Sequence, residues 1–226
     1  DEAFCGCLNL FEVKFDANSN LIEIGKNAFY KCISLKLINI PDNVNSIGEG
    51  AFKECSQLEE ILLPKRLTAI ENDLFYHCTS LKIIDIKNNY DIKTIGAGAF
   101  NNCAITEIIF PYSIISIGCG AFYCCEKLQN VSLSYDLETI EEYAFYGCKS
   151  LSSIILFQVS YLGQGAFENC ELISLSIYSQ NITKIEPYTF KNCTSLHAFS
   201  FNQFIKSIGK DAFLGCPLDS LVLSSP

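Results

Sequence analysis

The sequence predicts a solenoid: about ten coils of 22 to 25 residues, stacked in register, each with a short parallel strand, a turn, a short extended segment and one helical turn. Three recurrences predict it. The phrase "GKNAFYKC" returns as "GEGAFKEC", "GAGAFNNC", "GCGAFYCC", "GQGAFENC" and "GKDAFLGC". Aligning on its aromatic gives Phe4, Phe29, Phe52, Phe75, Phe100, Phe122, Phe145, Phe167, Phe190 and Phe213. Three residues after each stands a cysteine, from Cys7, Cys32 and Cys55 through Cys193 to Cys216, which accounts for ten of the thirteen. After each cysteine comes an apolar 1-4-6 pattern, such as Leu58, Ile61, Leu63 or Leu151, Ile154, Leu156.

Each element follows from this pattern. Positions 4 and 6 alternate as a half-buried strand requires. The connection after the strand is short, except where "DANSN", "KNNYD" and "SQN" stretch the spacing and are expected to loop out at coil edges. A second apolar pair follows, as in Val44 with Ile47, Leu67 with Ile70, and Ile114 with Ile117, and reads as a short extended segment. The Gly- or Glu-led phrase then reads as one turn of helix. No coil of this size can bury its apolar set alone, whereas stacking converts the sets into one continuous core.

The stretch "LKLINIPDNVNSIGEGAFKECSQL" resembles, nearly position for position, the BspA-type leucine-rich repeat, a 23-residue class of bacterial and protozoan surface proteins. The resemblance covers essentially the whole chain. It implies a leucine-rich repeat solenoid of α/β type, and residues 1–226 are expected to form a single such domain. The chain opens on "DEAF" and stops at "LDSLVLSSP", both inside the repeat, so it is expected to belong to a longer chain, or to associate end to end through Leu221 and Val222. The resemblance further implies a non-enzymatic recognition module at the cell surface or secreted, binding extracellular matrix or another surface protein. A cytoplasmic interaction scaffold and a regulatory repeat domain attached to an enzyme are the alternatives.

Composition narrows the partners. Sixteen Lys and Arg stand against 25 Asp and Glu, a net charge of −9 with a pI near 4.7. Nucleic acids and anionic membrane surfaces need phosphate-neutralising cations, so both are disfavoured. No apolar run approaches the roughly 18 residues of a membrane span. The two histidines, His77 and His197, form no metalloprotease motif and no coherent triad, and neither a phosphate loop nor a nucleophile elbow occurs. Neither catalysis nor a cofactor is expected.

A residue repeated in every coil serves each coil's packing, so the cysteine column reads as small buried hydrophobes. In-register side chains also hold their Cβ atoms about 4.8 Å apart, too far for an undistorted disulfide. Cys5, Cys119 and Cys124 lie off the column and are expected at the surface, where Cys119 with Cys124, or either with a neighbouring coil, could form a disulfide. Zinc-type C-x-x-C pairing is absent. Of three N-x-[ST] sequons, at Asn130, Asn181 and Asn192, Asn181 is the expected acceptor because it sits in an insertion, whereas Asn192 adjoins Cys193.

Between the inward strand positions lie the outward ones, which form a strip of variable side chains, usually concave, suited to specific binding. The candidate protein-binding residues on or beside it are Leu37, Asn39, Glu60, Leu62, Ile83, Asp85, Glu107, Ile109, Ile155, Phe157, Tyr178 and His197. The first five coils mix carboxylates with large aliphatics, and later coils carry mostly serine. Aliphatics on a face that should be wet are the sign of a protein partner, although stacked Leu and Ile also reinforce a sheet.

Overall fold

Alternation of one buried and one exposed residue needs only two or three residues per coil, and the strands are that short. In a computed structural model, which describes residues 1–16, 18–201 and 203–223 (backbone alone at 201 and 221–223), nineteen strands of two to four residues form two columns of parallel neighbours. The front column comprises Glu12–Val13, Leu37–Ile38, Glu60–Leu62, Ile83–Asp85, Glu107–Ile109, Asn130–Ser132, Ser153–Leu156, Ser174–Ile177, Ala198–Phe201 and Ser220–Leu223. The side column runs from Glu23–Ile24 to Ser207–Ile208, and five of its members, from Ala69–Ile70 to Tyr161–Leu162, form one continuous sheet. Every pairing is parallel and in register, as in Glu60↔Ile83 with Leu62↔Asp85, and Ser116↔Thr139 with Ile117↔Ile140. Because side chains alternate with period two, this register keeps every inward residue inward.

The third side corrects the expected helical turn: among the described residues there is no helix. The phrase forms a tight run of turns with positive φ two residues before and two residues after each column Phe, as at Asn27 and Lys31, Asp73 and His77, or Tyr143 and Gly147. Left-handed residues four apart cannot continue a right-handed helix. Instead, alternate N–H groups turn outward to the next coil. Those of Asn27, Phe29 and Lys31 donate to the carbonyls of Glu49, Ala51 and Lys53, while those of Ala28, Tyr30 and Cys32 reach back three residues within the coil. The turn side is thus itself a hydrogen-bonded ladder, which satisfies backbone groups that would otherwise be stranded against the core.

Inside the three sides the column phenylalanines form one file, with successive ring centroids 5.1–5.8 Å apart. Phe29 to Phe190 are buried, whereas Phe4 is 48% exposed and Phe213 half-buried. The solenoid therefore has about eight turns enclosed on both sides, not ten equivalent α/β repeats. Loops after the front strands, inserted or not, are pinned by short polar side chains. Asn89 Nδ2, Ser134 Oγ and Ser179 Oγ, all buried, donate to the carbonyls of Pro64, Tyr112 and Val159 in the preceding coil. The end-to-end contact expected of Leu221 and Val222 falls on side chains outside the described residues.

Candidate protein-binding strip

The front column places the outward residues in two straight rows. One row holds Glu12, Leu37, Glu60, Ile83 and Glu107, and the other holds Lys14, Asn39, Leu62, Asp85 and Ile109, with Asn39 bridged to Leu62. All twelve candidate residues are exposed. Neighbouring strands lie about 4.8 Å apart, so Leu37, Leu62, Ile83 and Ile109 zigzag along four adjacent coils, each beside a polar residue in its own row. The result is a checkerboard. Leu62, at 69% exposure, and Ile83, at 57%, stand well clear of the core.

The carboxylates of the checkerboard differ in their partners. Lys14 lies 2.9 Å from Glu12, and Lys87 lies 3.5 Å from Asp85, both at the surface. Glu60 and Glu107 have no ion-pair partner among the described residues. Beside them a shallow depression is lined by Phe11, Lys36, Leu37, Glu59, Glu60, Lys82 and Ile83. Lys36 lies over the Phe11 ring at 5.7 Å, and Lys82 pairs with Glu59 at 3.3 Å. The nearby cations are thus engaged at the flank, which leaves Glu60 facing outward between Leu37 and Ile83.

The remaining candidates lie further along. Ile155 is paired with Ser176 in the front column, Phe157 and Tyr178 project from the ends of their strands, and His197 Nδ1 lies 3.0 Å from the Asp219 carboxylate at the exposed surface. Sequence reasoning thus found the strip and the contrast between its acidic, aliphatic half and its later, serine-rich half with Phe157 and Tyr178, but not the continuation of the aromatic file through Tyr135. The signal was present in the exposed tyrosine directly after Ser134.

The cysteine column has a chemical role beyond packing. Each column thiol from Cys32 to Cys216 donates to the carbonyl of the column Phe one coil back, at 3.0–3.3 Å. Burial pushes the Cys32 thiol up to about 11 and that of Cys125 to about 12, and it raises those of Cys55, Cys78 and Cys103 as well. These are protonated donors, not nucleophiles. All thirteen cysteines are free, so Cys119 and Cys124 are not bonded to each other. Cys5 and Cys119 are exposed, Cys124 is only half-buried, and Cys7 departs from its column by being exposed.

His77 occupies a left-handed turn position, with Nε2 3.2 Å from Asn102 Nδ2 and its ring against Tyr76. Asn181 lies exposed in its insertion. Asn192 is exposed too, contrary to expectation, but its amide donates to Asn169 Oδ1 in the neighbouring coil. No three His, Cys, Asp or Glu side chains converge as metal ligands among the described residues, and no helix is long and apolar enough to cross a membrane.

Parallel coils, a file of aromatics and a strip of solvent-facing strand residues define a leucine-rich-repeat solenoid. The BspA type leucine rich repeat region matches residues 1–123 and 115–226, and the chain belongs to that family. Among solved structures it is similar to a leucine-rich repeat protein from Bacteroides ovatus, with 29% identity and a TM-score of 0.70 over 95% of this chain and 63% of that one. A leucine-rich cell surface protein from Faecalibacterium prausnitzii is similar at 27% identity and a TM-score of 0.61, over 97% of this chain and 68% of that one. The leucine-rich repeat protein of T. pallidum shares 30% identity at a TM-score of 0.63, over 71% of this chain and 76% of that one. The chain spans less than two thirds of the length of the Bacteroides ovatus protein. No curated protein matches it.

Proposed function

We propose that the chain is a non-enzymatic protein-recognition module of a cell-surface or secreted protein, binding through the front strip of its second to fifth coils. The observation that carries this reading is the checkerboard. Exposed aliphatics on four successive coils, interleaved with carboxylates of which Glu60 and Glu107 have no ion-pair partner among the described residues, make a surface that monomeric proteins rarely leave open. Its complement is a segment of another protein that presents Lys or Arg between apolar side chains. Leu37, Leu62, Ile83 and Ile109 would supply the desolvated contacts, and Glu60, Asp85 and Glu107 the orientation and encounter rate. Membership of a surface-protein family and similarity to a cell surface protein support the location.

The test compares capture of partners by the intact chain and by a variant with Leu37, Leu62 and Ile109 changed to Ser. The variant should keep the circular dichroism of the parent, because these side chains lie outside the core, and should lose the partner. A Glu60→Gln, Glu107→Gln variant should bind more slowly and with a weaker salt dependence. Equal retention of every partner by the triple variant would contradict the assignment.

A further inference from the structure

The later coils present a different chemistry. Tyr135, Phe157 and Tyr178, from three successive coils, form an exposed file along one edge of the front strip, with centroids 5.4 and 5.8 Å apart and ring planes inclined by 33° and 13°. Tyr178 is 66% exposed. The file is held firmly. Gln158 Nε2 donates to the Tyr135 hydroxyl at 3.2 Å, and the buried Ser134 and Ser179 tie the adjoining loops to the coil before.

Beside this ledge the strip turns neutral. Its outward positions from the sixth to the ninth coil are Asn130, Ser132, Ser153, Ile155, Ser174, Ser176, Ala198 and Ser200, without one charged side chain. The side chains of Asn130, Ser132, Ser153, Ser174 and Ser176 make no hydrogen bond among the described residues, and all of them are exposed except the half-buried Ser176. Asp136, exposed and adjacent to Tyr135 in sequence, adds a carboxylate beside the first ring of the file.

A cationic ligand held by aromatic rings gains from carboxylates on several sides, whereas Asp136 alone adjoins the file and the strip beside it carries none. A protein anchor needs a pocket to desolvate it, whereas Tyr135 and Tyr178 stand 53% and 66% exposed. A sugar fits both parts: its C–H groups pack on the ring surface that the stacked file leaves exposed, and its hydroxyls meet short hydroxyl and amide side chains that orient it. One ring per coil suits a ligand that is itself a repeat. We propose that the sixth to eighth coils carry a separate site for a neutral oligosaccharide, its pyranose rings packed on Tyr135, Phe157 and Tyr178 and its hydroxyls bonded to Ser132, Ser176 and their neighbours. This site stands independently of the protein-binding strip.

The test titrates maltohexaose, cellohexaose and chitohexaose into the whole chain by calorimetry, with tyrosine fluorescence as a second signal, since the chain has 11 Tyr and no Trp. At least one hexamer should bind, and Tyr178→Ala should weaken it about threefold to tenfold, the worth of one aromatic contact. Tyr178→Phe, which keeps the ring, should bind nearly as well as the parent. Leu62→Ser, on the other half of the strip, should bind the hexamer as the parent does. Phe157→Ala is a further check once its fold is confirmed. Failure of all three hexamers at millimolar concentration overturns the site, as does parental binding by Tyr178→Ala. Binding of a proline decamer or a sulfated hexamer in their place overturns the assignment of ligand class.

Discussion

At the residue scale two columns hold the molecule together, and each makes a distinct prediction. The file of phenylalanines is continuous, so Phe145, between Phe122 and Phe167 at 5.1 and 5.2 Å, leaves a cavity open to both neighbours when truncated. Phe145→Ala should cost about 3–5 kcal/mol by urea denaturation; a loss below about 1 kcal/mol would contradict the stacked core. The buried column thiols, Cys32 to Cys193, should resist alkylation in the folded chain, whereas Cys5, Cys7 and Cys119 should label quickly.

The same thiols make stability depend on pH. Burial holds the folded values of Cys55, Cys78 and Cys103 above the ordinary 9.0 and takes Cys32 to about 11 and Cys125 to about 12. The unfolded chain therefore gives up these protons first as pH rises. Their stabilising effect is complete below about pH 9 and is lost between about 9 and 12. The urea midpoint should fall across that window, and less steeply when Cys78 and Cys125 are changed to Ala. Equal slopes would remove the thiols from the explanation.

At the element scale, the strands and their register were legible in the sequence and the turn side was not. Positions 4 and 6 of each coil fix the buried face, and a slip by one residue would expose all of them, so pattern alone sets the pairing seen in Glu60↔Ile83. The phrase around each Phe has helix-like spacing, which hid the recurrence of Gly, Asn and Asp two residues to either side. Those are the residues that tolerate left-handed backbone, and Asn27, Asp73, Gly98, Asn102, Asn169 and Gly215 all adopt it. The thiol-to-carbonyl bonds were also out of reach, because a sequence shows the column but not the acceptor it faces. Gly165 tests the turn ladder: its φ is +61°, and an added Cβ would lie 2.5 Å from Tyr143 Cε1. Gly165→Ala should lose about 1–2 kcal/mol from backbone conformation alone. Unchanged thermal stability would mean that the left-handed position is not required.

At the scale of the whole molecule, a regular interior carries an irregular surface. Core residues repeat coil after coil because each meets its counterpart, while the outward strand positions are free to vary, and they divide into an acidic, aliphatic half and a neutral, aromatic half. The sequence shows this division once the rows are written out, because register places residue upon residue. Which half meets which ligand depends on exposure and on partners already engaged, such as Lys82 with Glu59, and only the structure supplies those.

The central claim is that the checkerboard on the second to fifth coils is the protein-binding surface. Carbene footprinting of the chain, alone and with a partner recovered by capture, tests it most directly. Labelling of Leu37, Leu62, Ile83 and Ile109 should drop in the complex, while Tyr30, Tyr76 and Tyr146 on the turn side label as before. Unchanged labelling of the four aliphatics, with protection on the turn side, would contradict the claim.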